Sequence, residues 1–223
     1  MKKLLLAISL FAVGCTCSNE VDTPRDISKE PHGSIMFINI SDAVPDIRCF
    51  YGDYETSYRN GQAFVSSYHD EPSTLYNDIP VGGSAIQLKT RTESTILNVP
   101  IYFRDGYHYS LILSGSGSDN DAAIFTDDLG GTRNGKVYVR CINFTTDSSD
   151  IVLSVDSTTT IDFTSFRKAS SFMEIDSLLS TVQIESESGK VEIPIGSKYP
   201  FKHISIIMHK EFASKSYSIV RHN

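Results

Sequence analysis

Ser34-Ile35-Met36-Phe37-Ile38-Asn39-Ile40 is the stretch that decides the fold. It is a short apolar run, and Tyr107-His108-Tyr109-Ser110-Leu111-Ile112-Leu113 repeats the signal with stricter alternation. Both read as strands. Turn residues punctuate the chain between and beyond them, at Asn60-Gly61, Gly82-Gly83, Gly130-Gly131, Asn134-Gly135 and Ser188-Gly189. Asp105-Gly106, between Pro100-Ile101-Tyr102-Phe103 and Tyr107-His108-Tyr109, predicts a tight hairpin, because such a turn demands small residues at positive φ. Phe172 to Leu179 is the one plausible helical piece, a turn or two long. The fold class is all-β.

The chain also resembles itself. Ile38-Asn39-Ile40-Ser41, followed after four residues by Asp46-Ile47, returns 104 positions later as Ile142-Asn143-Phe144-Thr145 and Asp150-Ile151. His108-Tyr109-Ser110-Leu111-Ile112 returns 95 positions later as His203-Ile204-Ser205-Ile206-Ile207, and Val99-Pro100-Ile101 matches Ile193-Pro194-Ile195. The matches keep their order, which argues for a duplicated unit. Each copy has the size and strand density of a small antiparallel β-sandwich. The expected division is 1–14, a signal peptide; 15–32, a flexible tether; 33–131, a first sandwich; and 132–223, a second, shorter one. Gly130-Gly131-Thr132-Arg133-Asn134-Gly135 has the composition of a boundary, so residues 33 to 131 are expected to fold alone.

Met1-Lys2-Lys3, the uncharged run Leu4 to Val13 and small residues before Cys15 have the layout of a secretory signal peptide. The run is too short to span a bilayer, which takes about 20 apolar residues as a helix. Ala12-Val13-Gly14-Cys15 resembles the bacterial lipobox, in which the cysteine thiol receives a diacylglycerol. Cys15 is therefore the expected lipidation site, and the membrane an expected partner through that anchor. Export to the outer membrane follows, with display on the cell surface suggested by Glu20 and Asp22 in the polar tether. Without residues 1–14 the chain carries 18 basic and 27 acidic groups, a net −9, which disfavours nucleic acid as a partner. The acidity is concentrated in 33–131, with 5 basic and 13 acidic groups against 11 and 10 in 132–223. Cys17, Cys49 and Cys141 form no disulfide framework and no short metal-type spacing. Buried free thiols at Cys49 and Cys141 are expected over a bridge.

A strand leading to Asn39-Ile40-Ser41-Asp42-Ala43-Val44-Pro45-Asp46-Ile47-Arg48-Cys49-Phe50-Tyr51, a return strand from Val81-Gly82-Gly83, the aromatic strand Tyr107 to Leu113, and Phe125-Thr126-Asp127-Asp128 before a second copy opening at Gly135: this order resembles the bacterial domain of unknown function 4397. That family commonly has a segment like HASPDAP followed by VDVY where this chain has Asn39 to Tyr51. The resemblance implies tandem Ig-like β-sandwiches at a bacterial cell surface and no reaction.

No Gly-x-Ser-x-Gly, His-Glu-x-x-His or phosphate-cradling glycine loop occurs, so no catalytic residue, cofactor or metal site is expected. Gly115-Ser116-Gly117-Ser118-Asp119-Asn120-Asp121 reads as a hairpin loop; its acids, with Asp127 and Asp128, are a weak Ca²⁺ candidate beside the plainer reading of a solvated loop. His108 and His203, like Ser110 and Ser205, hold equivalent repeat positions, and read as strand positions in a repeated packing environment. Asn39 and Asn143 read as side chains that bond their own backbone. Tyr51, Tyr54 and Tyr58 are the candidate binding residues, weighed against strand tyrosines packed on neighbours. The functional expectation is a noncatalytic surface lipoprotein that binds a protein or glycan. The rivals are a structural subunit of a surface filament and an unrecognised hydrolase.

Overall fold

The computed structural model describes residues 30–42, 47–51, 54–55, 76–90, 92, 94–116, 119–147, 150–155, 159–162, 166–177, 181–195 and 202–222. The first eight strands are β1 (His32–Asn39), β2 (Ile47–Tyr51), β3 (Tyr54–Glu55), β4 (Asn77–Pro80), β5 (Gly82–Thr90), β6 (Thr95–Phe103), β7 (His108–Ser116) and β8 (Asp119–Asp127). The next eight are β9 (Lys136–Thr145), β10 (Val152–Val155), β11 (Thr159–Asp162), β12 (Met173–Asp176), β13 (Thr181–Ser186), β14 (Gly189–Pro194), β15 (His203–Lys210) and β16 (Tyr217–His222). A single 3-10 turn, Phe212–Ser214, is the helical structure among the described residues.

The strands form four four-stranded sheets, ordered β4-β1-β7-β8, β3-β2-β5-β6, β12-β9-β15-β16 and β11-β10-β13-β14. Adding eight to each strand number of the first pair of sheets gives the second pair. The one parallel pairing of each set also recurs, β1 with β7 and β9 with β15, the remainder being antiparallel. The ordered sequence matches fall on these equivalent strands: the 104-residue offset relates β1 to β9, and the 95-residue offset relates β7 to β15. Each set is an antiparallel-rich sandwich, as the all-β reading requires.

Strand alternation builds the cores. In β1, Ile35 and Phe37 point to a first core with Ile86, Leu88, Phe103 and Leu111. In β9, Val137, Val139 and Cys141 point to a second core with Leu153, Ile184, Ile206 and Phe212. The opposite faces of the same strands are also buried. Met36, Ile38, Ile40 and Ile112 meet Ile142, Phe144, Ile207 and Val220 in a third cluster, a seam between the two sandwiches. This explains the near-continuous apolar run of the opening stretch, since a strand buried on both faces has no polar side to show. Each set thus has its own core, and the seam joins them. Cys49 and Cys141 are free and buried, one in each core.

Two expectations are corrected. Asp105-Gly106 does turn with Gly106 at φ 70°, but β6 pairs with β5 while β7 pairs with β1 and β8, so the turn is a corner between sheets and not a hairpin. The backbone N–H of Gly106 donates to the His32 carbonyl at 2.9 Å, which holds the corner to β1. Phe172 to Leu179 is not helical where it is described. Met173–Asp176 is strand β12, paired with β9, because Ile175 and Ser177 are buried while Glu174 and Asp176 are exposed, a period of two. Ser116 and Asp119 do pair across the β7–β8 hairpin.

Candidate functional site

Two features of the seam bring chemically capable groups together, one at each end of its strands. At the end where β1 and β7 begin, the seam-facing positions are polar. Asp127 and Arg140 form an ion pair whose side chains are 0% and 3% exposed. The Tyr76 hydroxyl donates to Asp127 Oδ2 at 2.6 Å, and Ser110 Oγ donates to the same oxygen at 2.7 Å. Tyr76 oxygen lies 2.6 Å from His222 Nδ1, and His222 Nε2 lies 2.7 Å from Ser205 Oγ. Arg140 Nε closes the circuit by donating to Ser205 Oγ at 2.6 Å. One assignment of protons satisfies every contact: Nδ1–H of neutral His222 donates to Tyr76, and Ser205 donates to Nε2. Burial, the largest cause, pushes His222 down to about 3, with Arg140, His203 and His108 adding to the effect and Asp127 opposing it. Burial beside Asp127 likewise pushes the Tyr76 hydroxyl up. Phe172 covers the circuit, its ring 4.6 Å from the Arg140 guanidinium.

Ser205, His222 and Asp127 invite comparison with a nucleophile, its base and an orienting acid. The geometry carries the first link and not the second, because Tyr76 intervenes and His222 Nδ1 stands 3.7 Å from Asp127 Oδ2. Ser205 is 0% exposed and already accepts from Arg140. A cavity of about 390 Å³ reaches Arg140, Phe172 and His203, but neither Ser205 nor His222 lines it. The arrangement is chemically a clasp: Tyr76, Ser110 and Asp127 come from the first sandwich, and Arg140, Ser205 and His222 from the second.

The other end opens. Ile40, Phe144 and Phe166 floor a cleft of about 870 Å³ between the sandwiches, with Asp42, Asp119, Asn120 and Asp121 on one side and His209, Lys210 and Glu211 on the other. Arg167 reaches across to Asp121 with both Nη atoms at 2.6 Å, and to the Ala122 carbonyl at 2.8 Å. Lys210 reaches Asp42 at 3.3 Å. Both cations sit in left-handed backbone, at φ 65° and 63°. Such a conformation is uncommon outside glycine and costs about 1–3 kcal/mol.

Tyr51 rests on the first core, edge-on to Phe103 with centroids 5.8 Å apart, so it packs as a strand tyrosine. Its backbone pairs with Tyr54 of β3. Cys15, Cys17, Asp53 and Tyr58 lie outside the described residues, and of Tyr54 only the strand position is described. Of the tyrosine group, Tyr51 is therefore the one whose side chain is described, and it packs on the first core. In the β7–β8 hairpin Asp121 holds Arg167, and the Asn120 amide oxygen accepts from Ser41 at 3.0 Å. No cluster of three metal-ligating side chains occurs among the described residues. Asn39 and Asn143 do bond locally, accepting from the N–H of Ser41 at 3.0 Å and of Thr145 at 2.9 Å. Arg140, His222, Phe166, Arg167 and Lys210 were not candidates in the sequence, and Tyr76 stood out there only as one of several tyrosines crowding the first unit. Arg140 carried a signal, being a cation inside the apolar run Val137 to Phe144. A charge in a doubly buried strand needs a partner.

An all-β protein of two like sandwiches sharing a polar clasp is the class the fold and site define. Residues 36–154 match the family described as domain of unknown function (DUF4397), more than half of the chain, and the protein belongs to that family. The match is single, running from β1 into β10, where the sequence pattern suggests two copies. No curated protein matches the chain.

Proposed function

We propose that this protein is a lipid-anchored, noncatalytic envelope lipoprotein built from two copies of the family domain, which binds a protein or glycan in the cleft between its sandwiches. The observation that carries the reading is placement. The chain arrives from Cys15 at His32, the first residue of β1, and the cleft lies past the last residue of β1, at Ile40 and Asp42. Eight strand residues at ~3.3 Å each put the cleft about 25 Å from the point where the chain enters β1. An opening on the side away from an outer-membrane anchor faces a partner approaching from solution. The noncatalytic reading is supported by the clasp, whose Ser, His and Asp groups are spent on one another. The second copy diverges enough from the first to fall largely outside the family match, while repeating its strand order.

Four acidic side chains line the cleft, of which Lys210 is paired with Asp42 and Arg167 with Asp121, so the acids outnumber the cations that meet them. A neutral or cationic partner fits that balance, since an anionic one would meet like charge. Phe166, 38% exposed in the cleft, offers an apolar face to a sugar ring or an aliphatic side chain. The anchor is tested by metabolic labelling with a fatty-acid analogue: Cys15→Ser should abolish the label, and equal label in both proteins sinks it. The cleft is tested on arrays of host proteins and neutral glycans, where Phe166→Ser should lose whatever the wild-type protein retains. Full retention by a folded variant removes the cleft from the function.

A further inference from the structure

Four large hydrophobic side chains stand exposed among the described residues, and three of them share one place: Val81 (39%), Tyr102 (67%) and Tyr107 (44%). That place is where the chain arrives. The Val81 N–H donates to the Pro31 carbonyl and the Gly106 N–H to the His32 carbonyl, so the loops carrying Val81 and Tyr107 are bonded to the first strand's opening residues. Tyr102 stands opposite Gly83 on the adjoining strand, two residues from Val81. The Arg104 guanidinium lies 5.8 Å from the Tyr107 ring, which adds a cation to the patch.

We infer that Val81, Tyr102, Arg104 and Tyr107 form a membrane-facing foot that rests on the headgroup layer of the bilayer. The inference rests on the lipid anchor proposed above for its tether. Tyrosine suits a boundary with one apolar and one wet side, and arginine beside it can bond lipid phosphate. Fifteen residues lie between Cys15 and Pro31, sixteen steps of chain that span at most ~55 Å even when fully extended. Holding the foot that close to the bilayer supplies a high effective concentration, so a small patch whose free affinity is slight can stay seated. Seating the foot turns the far end of the seam, with its cleft, outward.

The chain contains no tryptophan, so single substitutions report without background. Three variants of the full mature chain are compared: Tyr102→Trp and Tyr107→Trp at the foot, and Phe166→Trp at the cleft. Each is held on phosphatidylcholine–phosphatidylglycerol vesicles by a histidine tag that replaces residues 1–15 and binds a nickel-chelating lipid. This supplies a tether whether or not Cys15 is acylated in cells, and the labelling of Cys15→Ser reports on acylation separately. Emission from the two foot variants should shift to the blue on binding and be quenched by brominated lipid, while that of Phe166→Trp stays unshifted and unquenched. Water-exposed emission from both foot variants on bound vesicles overturns the foot, as does equal quenching of all three. Should either substitution disturb the fold, hydrogen exchange of the unsubstituted tagged protein decides instead. Slowed exchange at residues 81–83 and 104–107 on vesicles supports the foot, and unchanged exchange there overturns it.

Discussion

Met36 and Arg140 hold the same position in their two copies, 104 residues apart, and so do Asp127 and His222, each paired across its sheet with a repeated histidine, His108 or His203. Tyr76 and Phe172 correspond as well, each preceding the edge strand that pairs with the copy's first strand. The backbone positions are duplicated and the chemistry on them is not. Where one copy has an acid, the other has a histidine; where one has a thioether, the other has a guanidinium. Ser110 and Ser205 are unchanged, as are His108 and His203, yet the two serines serve different partners, Ser110 donating to Asp127 and Ser205 joining Arg140 to His222. A seam made of identical faces would let either copy pair with itself. Complementary substitutions make the first copy specific for the second, because a first copy facing another first copy would set two buried acids together with no cation.

Separating the copies is the most severe way to break that comparison. A fragment ending at residue 131 bares Met36, Ile38, Ile40 and Ile112 and leaves Asp127 without Arg140. At about 1.5–3 kcal/mol for each buried side chain, the loss is roughly 6 kcal/mol or more, comparable with the whole stability of a domain. The fragment is expected to melt far below the full chain or to lose its cooperative transition. An unchanged melting temperature would show that 33–131 needs nothing from its neighbour, as its boundary composition alone suggests. Arg140→Met is a finer break, since it gives the second copy the residue of the first. It leaves a buried carboxylate with only two hydroxyl donors, and about 3–5 kcal/mol of destabilisation is expected in a denaturant titration. A change within error would mean that Tyr76 and Ser110 suffice for Asp127.

Tyr76→Phe is the reverse symmetrisation, giving the first copy the ring of the second. It removes one donor from Asp127 and the acceptor of His222 Nδ1–H at once, while leaving the ring's packing on His108 intact. Roughly 1–3 kcal/mol should be lost. If Tyr76→Phe and Arg140→Met together cost the sum of their separate effects, the circuit is a set of independent contacts. A cost below the sum shows that breaking it once is enough.

The strands, the matched segments that fall on strands of recurring order and the local bonding of Asn39 and Asn143 were legible because each is written in near-neighbour pattern: apolar runs, constant offsets, an Asn two residues before a Ser or Thr. The repeated His and Ser were legible only as a shared environment. Their partners Tyr76 and Asp127, and Arg140 with His222, are joined by packing one copy on the other, and no local rule relates residues 76 and 222. The Asp105-Gly106 corner misled for a similar reason. The local chemistry of a hairpin turn and of a sheet-crossing corner is the same, and which sheet receives β7 is decided by its parallel pairing with β1. Phe166, Arg167 and Lys210 had no signal, because a cleft formed between two units belongs to neither unit's pattern.

The smallest expected effect is a pH dependence that isolates His222 from the rest of the circuit. Its folded value, near 3, lies below the ordinary value of 6.5. Between those values the unfolded chain holds a proton on this ring and the folded protein does not. Stability is therefore complete above about pH 6.5 and falls as the pH is lowered towards 3, with a slope of up to ~1.4 kcal/mol per pH unit. Protonation would turn Nε2 from an acceptor into a donor, so the Ser205 hydroxyl would lose the acceptor of its own proton in the circuit. Burial lowers His203 in the same direction, and carboxylates add their own loss below about pH 5. The diagnostic quantity is consequently the difference between wild type and His222→Gln from pH 6.5 to 5. The variant should be less stable at pH 7 and distinctly flatter across that window, while retaining the His203 contribution. Parallel slopes in the two proteins would mean that His222 titrates as freely in the folded state as in the unfolded chain, and that the closed end of the seam admits water.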